Sequence, residues 1–371
     1  MAVGLDAVER EAERVVRPAV GVAARHVDAF DGIRGLAVLA VMAAHVGLND
    51  RGGCGVDIFF VLSGFLITGI LLRERGQRGR VSFFNFYARR WLRLFPALLL
   101  TVLLFLVFAR VMGLHMTGAG WDSLMALSYT SNWTRAFGNK PDYLGHTWSL
   151  SIEEQFYLLW PPVMLLLYRW LGRTWRGAAG CAALAAIVVA YRWWMIQAGA
   201  TEQRIYNGLD TRLDTLLAGA ARAFFMPRVT RVGGELLAWV SAGALTCFVA
   251  GWLGDSTEQV TLGTVGLLVG LSNAPAGAAA RVLSLTPLVW VGKISYGLYL
   301  FHFPLMKYMI EQHWTVRDKT LVGISVAFAL ATASYYLVER PFLRLKDRFR
   351  GGRERGPGGK WIECSLTKGA G

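Results

Sequence analysis

The sequence predicts an all-α, polytopic membrane protein of about ten transmembrane helices with both termini cytoplasmic. Three observations carry that reading. Of the 371 residues 54% are hydrophobic, and the mean hydropathy is positive. Apolar runs about long enough to cross a bilayer core of roughly 30 Å recur along nearly the whole chain. Basic residues fall mainly in alternate connections between those runs, the pattern of a chain threaded through a membrane with its cations inside. The formal net charge of +14 would otherwise point to nucleic acid, but topology accounts for these cations, so no nucleic-acid partner is expected.

Residues 1–29 mix acids with Arg and lack a long apolar core, so they read as a cytoplasmic lead-in rather than a cleaved signal peptide. Ten candidate spans follow, at 30–48, 55–73, 94–112, 150–171, 178–197, 208–226, 234–253, 259–274, 286–309 and 319–338. A further apolar patch at 120–131 is too short to cross and reads as re-entrant or interfacial. Together these define a membrane domain over 30–345, and the tail 346–371, rich in Gly and charge, reads as disordered. The four Cys, at 54, 181, 247 and 364, show no metal-ligand or redox spacing, so neither a metal site nor a disulfide framework is indicated. Asn132-Trp133-Thr134 fits the glycosylation sequon, a pattern common by chance.

The charge alternation tests the span count, because one missed span would invert every later connection. With the N-terminus inside, the even connections hold Arg73, Arg75, Arg78, Arg80, Arg89, Arg90 and Arg93, then Arg169, Arg173 and Arg176, then Arg222, Arg228 and Arg231, then Arg281. The first of these connections is the most charged stretch before the tail. In it Phe84, Tyr87, Trp91, Leu94 and Phe95 recur at helical spacing opposite Arg89, Arg90 and Arg93, which predicts an amphipathic helix in the inner interface. Plain anchoring to anionic lipid accounts for such a helix, and so does a polyphosphate ligand held by several forked donors.

Ionisable groups in or beside spans are functional candidates by default. Asp31 and Arg34 open the first run, His45 lies near its far end and Asp57 opens the second. Eleven residues separate Arg34 from His45, close to three whole helical turns, so the two side chains share a face roughly 16 Å apart along the axis. His146, Glu153 and Glu154 cluster where the fourth span begins. Ser151 and Glu154 match a capping box, which explains Glu154 structurally; Glu153 has no such explanation and is the stronger functional candidate. Asp210 and Asp214 stand one turn apart with Arg212 between them, the pattern of an internal charge pair that fixes helix packing. His302 lies deep in the ninth run, as either a packing element or a catalyst, and His26, His115 and His313 fall in loops.

Six strings then stand in one order: Asp31-Gly-Ile-Arg-Gly35 continuing to His45; Gly55 to Thr68, GVDIFFVLSGFLIT; Phe86 to Arg93, FYARRWLR; His146 to Tyr157, HTWSLSIEEQFY; Ser295 to Pro304, SYGLYLFHFP; and Glu339-Arg-Pro-Phe342. Taken together they resemble the membrane acyltransferase-3 family of largely bacterial O-acyltransferases. The resemblance implies ten transmembrane helices, an acyl-CoA donor, with acetyl-CoA the expected form, and an acceptor hydroxyl on a sugar, glycan or natural product. It places the family's arginine and histidine on Arg34 and His45, its paired arginines on Arg90 and Arg93, and its acidic position on Glu153.

Helix geometry gives that arrangement a reason. An extended pantetheine arm of order 15–20 Å matches the separation of Arg34 and His45, so arginines at one end would hold the phosphates of the donor while its thioester reaches the imidazole. His45 would then act as general base on the acceptor hydroxyl, with Glu153 orienting it or balancing its charge; acyl transfer through His45 itself is the other route. Arg34, Arg89, Arg90 and Arg93 are the expected donor-binding set. The supporting set is Asp31, Asp57, His146, Glu154, Arg212, Asp214 and His302. A transporter or flippase using buried Arg, His and Glu is the competing class, and a scaffold with structural charge pairs the third; no evident inverted repeat supports the former.

Overall fold

The computed structural model describes residues 27–49, 51–139, 142–251, 256–346, 353–355 and 361–363. Its helices are α1 (Asp28–Val46), α2 (Gly52–Arg78), α3 (Phe83–Val111), α4 (Met116–Leu127), α5 (Ser131–Ala136), α6 (Trp148–Leu171), α7 (Trp175–Gln197), α8 (Glu202–Asn207), α9 (Leu209–Phe224), α10 (Arg231–Val249), α11 (Thr257–Asn273), α12 (Ala278–Leu283), α13 (Thr286–Glu311) and α14 (Val316–Leu345). Of the expected lead-in, residues 1–26 lie outside the described residues, as does most of the tail. Within the tail, β1 (Arg353–Arg355) and β2 (Trp361–Glu363) pair antiparallel.

Each of the ten apolar runs overlaps one helix, with ends that differ by a few residues, and the patch at 120–131 falls on α4 and the start of α5. Six helices are long and apolar enough to cross a membrane by length and composition: α1, α2, α3, α7, α10 and α14. Helices α9 and α11 have only 16 and 17 residues. Helices α6 and α13 have the length but are diluted by polar side chains, among them Glu153, Glu154, Lys293 and His302. The outer faces of the bundle fit a multi-pass membrane protein. Helix α7 buries only Gly177, Cys181 and Arg192 of its 23 residues, and Trp170, Val232 and Leu337 are exposed although apolar.

The expected interfacial helix is instead the first half of α3, which continues through Pro96 without a break. Its apolar face, with Phe84 and Trp91, points away from the protein, while Arg90 and Arg93 turn into the bundle. Hydroxyl side chains start several helices. Ser82, Thr201, Thr230 and Ser256 each accept a hydrogen bond from a backbone N–H of the first turn.

Two glycine contacts set the spacing of the central helices. A Cβ on Gly292 of α13 would overlap the Asp31 carbonyl oxygen of α1, and one on Gly64 of α2 would overlap the Leu216 carbonyl of α9. Only glycine lets these backbones meet, the device by which helices in a membrane gain van der Waals contact. The pairs α1–α13 and α2–α9 are accordingly packed along much of their length, with α1 also against α2. The core between them is built from Val38, Met42, Phe60, Trp148, Ile152 and Leu298.

Candidate active site

The close packing of α1 on α13 brings His45 and His302 together, with His45 Nδ1 3.0 Å from His302 Nε2. On its other side His302 Nδ1 lies 2.9 Å from the Leu298 carbonyl oxygen. A carbonyl only accepts, so in the neutral ring that nitrogen carries the proton and Nε2 carries the lone pair. His45 Nδ1–H therefore donates to His302, and the lone pair of His45 is left on Nε2. An imidazole held in one tautomer with a free basic nitrogen is suited to accept a proton.

His45 lines a cavity of about 290 Å³ with Gly52, Gly53, Arg135, His146, Trp148, Tyr206, Tyr299 and Phe303. His146 reaches it from a single turn of 3₁₀ helix, Gly145–Thr147, ahead of α6. Asp122 of α4 fixes that turn by accepting the backbone N–H groups of Asp142, Tyr143 and Leu144 at 2.9, 2.7 and 3.1 Å. The His146 ring lies 4.9 Å from Phe303 and 5.7 Å from His302, centroid to centroid. It is buried, yet neither ring nitrogen makes a hydrogen bond of normal geometry. Burial pushes this imidazole well below its usual value, and the neighbouring His302 and His45 push it the same way.

A second, smaller cavity of about 50 Å³ is lined by Arg34, Arg90, Arg93, Ser63, Glu153, Tyr157, Ser295 and Tyr296. It shares Val56 and Tyr299 with the histidine cavity, so these two side chains form the partition between them. The partition is polar on one side. Tyr299 OH donates to the His146 carbonyl at 2.9 Å, and Ser149 Oγ lies 2.6 Å from the same phenol oxygen. Arg34 and His45 thus sit in adjoining cavities on either side of Tyr299, the shared face that their eleven-residue spacing predicts.

Within the arginine cavity, Arg90 stacks over the Tyr157 ring at 3.8 Å. Arg93 has the charges of Arg34, Arg90 and Asp31 as neighbours, and Asp31 itself is buried at the start of α1. Glu153 accepts from Ser63 at 2.6 Å among these arginines. The group that orients His45 is therefore His302, and the expectation that Glu153 does so is corrected.

Three other expectations also change. Arg89 lies apart from the cavity lining and pairs with Glu74 at 3.1 Å, where the same carboxylate accepts the Ser82 N–H and fixes the α2–α3 turn. Glu154 closes no capping box, because α6 begins at Trp148, a turn before Ser151, whose hydroxyl bonds the Thr147 carbonyl and Ser131. Asp210, Arg212 and Asp214 do not pair with one another. Arg212 joins Asp57 of α2 and donates to Thr257 at 2.6 Å, Asp214 holds Arg192 of α7 through bonds of 2.9 and 3.1 Å, and Asp210 holds Arg204. In keeping with a chance match, Asn132 of the sequon is fully buried and its amide is engaged with Gln155, so it is closed to glycosylation.

Sequence reasoning overlooked Arg135, Tyr206 and Tyr299 as site residues. Arg135 and Tyr206 sit on the short helices α5 and α8, outside any apolar run, and carry no periodic signal. Tyr299 stands three residues before His302, inside the Ser295–Pro304 string, and those were its sequence cues. Among the described residues no group of three or more His, Cys, Asp or Glu is placed to hold a metal ion.

Comparison with known proteins gives these features a relative. A family model described as an acyltransferase domain matches residues 27–339. The peptidoglycan O-acetyltransferase OatA of Listeria monocytogenes is 30% identical over 92% of this chain and 61% of its own length. A putative peptidoglycan O-acetyltransferase, YrhL of Bacillus subtilis, is 33% identical over 85% of this chain and 55% of its own. A putative O-acetyltransferase of Staphylococcus aureus is 29% identical over 86% of this chain and 57% of its own. The chain thus spans little more than half the length of the curated relatives it matches, and no solved structure matches it. On a family match covering most of its length, the chain belongs to the acyltransferase-3 family.

Proposed function

We propose that this chain is an integral-membrane O-acyltransferase that moves an acyl group, in the simplest case acetyl, from acyl-CoA to a hydroxyl of a glycan such as peptidoglycan. The observation that carries the proposal is the pair of adjoining cavities, one holding Arg34, Arg90 and Arg93 and the other holding His45 with a basic nitrogen, divided by Tyr299. Guanidinium forks suit the pyrophosphate of the donor, and the thioester passes Tyr299 to reach the imidazole. Ten transmembrane helices with both termini cytoplasmic put the arginine cavity toward the cytoplasm, where acyl-CoA is made, and the histidine cavity toward the opposite face. A further cavity of about 420 Å³ beside the start of α13 carries Lys293, Arg340 and Trp290 and suits the remote end of the donor.

In the reaction His45 Nε2 takes the proton of the acceptor hydroxyl as its oxygen attacks the thioester carbonyl. Collapse of the tetrahedral intermediate breaks the carbon–sulfur bond, and the thiolate of coenzyme A leaves. The proton on His45 then passes to that thiolate, which restores the neutral ring. His302 keeps the reacting nitrogen unprotonated beforehand and accepts the Nδ1 proton's hydrogen bond throughout.

The test is release of free coenzyme A from labelled acetyl-CoA by the purified chain, measured with a glycan acceptor. His45→Ala is expected to lower kcat by about 10²–10⁴, the contribution of a positioned general base. Equal turnover in the two proteins overturns the assignment.

A further inference from the structure

Among the described residues, no carboxylate pairs with the cation of the histidine cavity. Arg135 projects from α5 and is partly buried. Its Nε donates to Asn207 Oδ1 at 3.0 Å, and among the described residues no carboxylate lies in ion-pair contact with it. Nearby guanidiniums are treated differently. Arg192, Arg204 and Arg212 each hold a carboxylate, from Asp214, Asp210 and Asp57 respectively.

The Arg135 position is built. Asn207 is 1% exposed, and its amide nitrogen donates to the Gln203 carbonyl at 2.8 Å, which fixes its oxygen toward Arg135. Gly145 makes room for the head group, since a Cβ there would lie 2.6 Å from Nη1. With Nε engaged, the edge formed by Nη1 and Nη2 is the one left to bind. A partly desolvated cation with only an amide for company is costly, and a ligand anion on the open fork removes that cost.

The rest of the cavity is suited to a sugar. Trp148 and Tyr206 stand 4.7 Å apart and give an aromatic wall for the apolar face of a pyranose ring. His146, 96% buried by its residual exposure of 4%, has no side-chain partner and offers a ring nitrogen to hydroxyl or amide groups.

We propose that the acceptor is an anionic sugar and that Arg135 selects it, pairing a carboxylate of the sugar while His45 faces the hydroxyl to be acylated. The pairing is the bidentate fork geometry that guanidinium and carboxylate share. This names the acceptor class of the site and rests on the acyltransferase reading for the reaction, though not for the binding.

The experiment uses the purified full chain and two probes that differ only in charge, N-acetylmuramic acid and its methyl ester. Binding is measured by calorimetry and turnover with acetyl-CoA. N-acetylglucosamine 1-phosphate is a third probe, to tell a carboxylate site from a phosphate site. The wild type is expected to bind the acid about tenfold more tightly than the ester, the size of one charge-assisted hydrogen-bonded contact. Arg135→Gln should remove that difference by weakening the acid alone, and Arg135→Lys should retain part of it. In wild type the affinity for the acid, not for the ester, should fall with added salt, which tests the pairing even where a variant fails to fold.

Equal binding of acid and ester by the wild type overturns the proposal, as does preference for the phosphate. So does an equal loss of kcat on acid and ester in Arg135→Gln, which assigns Arg135 to the thioester oxyanion instead. Selective binding of the acid without acyl transfer would leave this inference standing and remove the acyltransferase reading.

Discussion

Buried charges on α7, α9 and α11 and buried charges around the two cavities face the same desolvation problem and meet it differently. On the first set each cation is paired with a carboxylate, even where, as at Arg212, one nitrogen is left over. Arg192 holds Asp214, Glu258 and the Thr211 carbonyl, and Arg212 holds Asp57 and Thr257. Around the cavities, among the described residues, Arg90 and Arg135 are in no ion pair, and Arg135 is answered by one amide. A cation already held by a buried carboxylate fixes which helices are neighbours and has no net charge to offer a ligand. A cation without one costs stability until an anion binds, so the difference in pairing separates scaffold from site within a single bundle.

The largest effect that sharpens this contrast is on stability. Removing one member of the Asp57–Arg212 pair, as in Arg212→Met, leaves a buried carboxylate between α2 and α9 and is expected to cost about 3–5 kcal/mol. The double variant Asp57→Leu with Arg212→Met should recover most of that loss, and its turnover per folded molecule should stay near wild type. Thermal unfolding in detergent together with the acetyl-CoA assay decides it. A stable double variant with no turnover would move the pair from the scaffold into the site.

A smaller effect is expected at His302. Its carbonyl-bound Nδ1 makes Nε2 the acceptor for His45, so His302→Leu leaves the His45 tautomer unspecified. The expected loss is roughly a hundredfold in kcat, the low end for positioned acid–base groups, with the donor KM unchanged. His302→Gln keeps an acceptor and should restore part of the rate. A fall in donor affinity with kcat intact would instead make His302 a packing residue.

Much of this was legible in the sequence, and what was legible was local. The Arg34–His45 spacing is a helical period within one element, so it survives whatever the rest of the chain does, and both residues line adjoining cavities. Arg90 and Arg93 follow for the same reason on α3. The partners of these groups come from helices remote in sequence, such as His302 for His45 and Arg192 for Asp214, and no periodicity encodes which helices pack together. Glu154 shows the limit of a local rule. Its capping box was broken by a tertiary contact, because Asp122 anchors the preceding turn and the helix starts earlier than its Ser signal. Arg135 had no local rule at all, sitting on a six-residue helix in a connection.

The finest distinction lies within three neighbouring arginines on α3. Arg89 is committed to Glu74, whereas Arg90 and Arg93 line the arginine cavity, although all three look equivalent in the sequence. Arg90→Ala with Arg93→Ala should raise the KM for acetyl-CoA by about tenfold, the loss of charge-assisted bonds to phosphate, with little change in kcat. Arg89→Ala should leave that KM within about twofold. Its expected cost is instead a stability loss of about 1–3 kcal/mol, since Glu74 loses a charged partner in the α2–α3 turn but keeps the Ser82 N–H at 3.0 Å. The two variants therefore move different observables, and steady-state kinetics against acetyl-CoA beside a melting curve reads both. A donor KM that rises equally in Arg89→Ala would show that the Glu74 pair opens to meet the donor, and the division between charges held by a carboxylate and charges left for a ligand would then fail at the residue where it is narrowest.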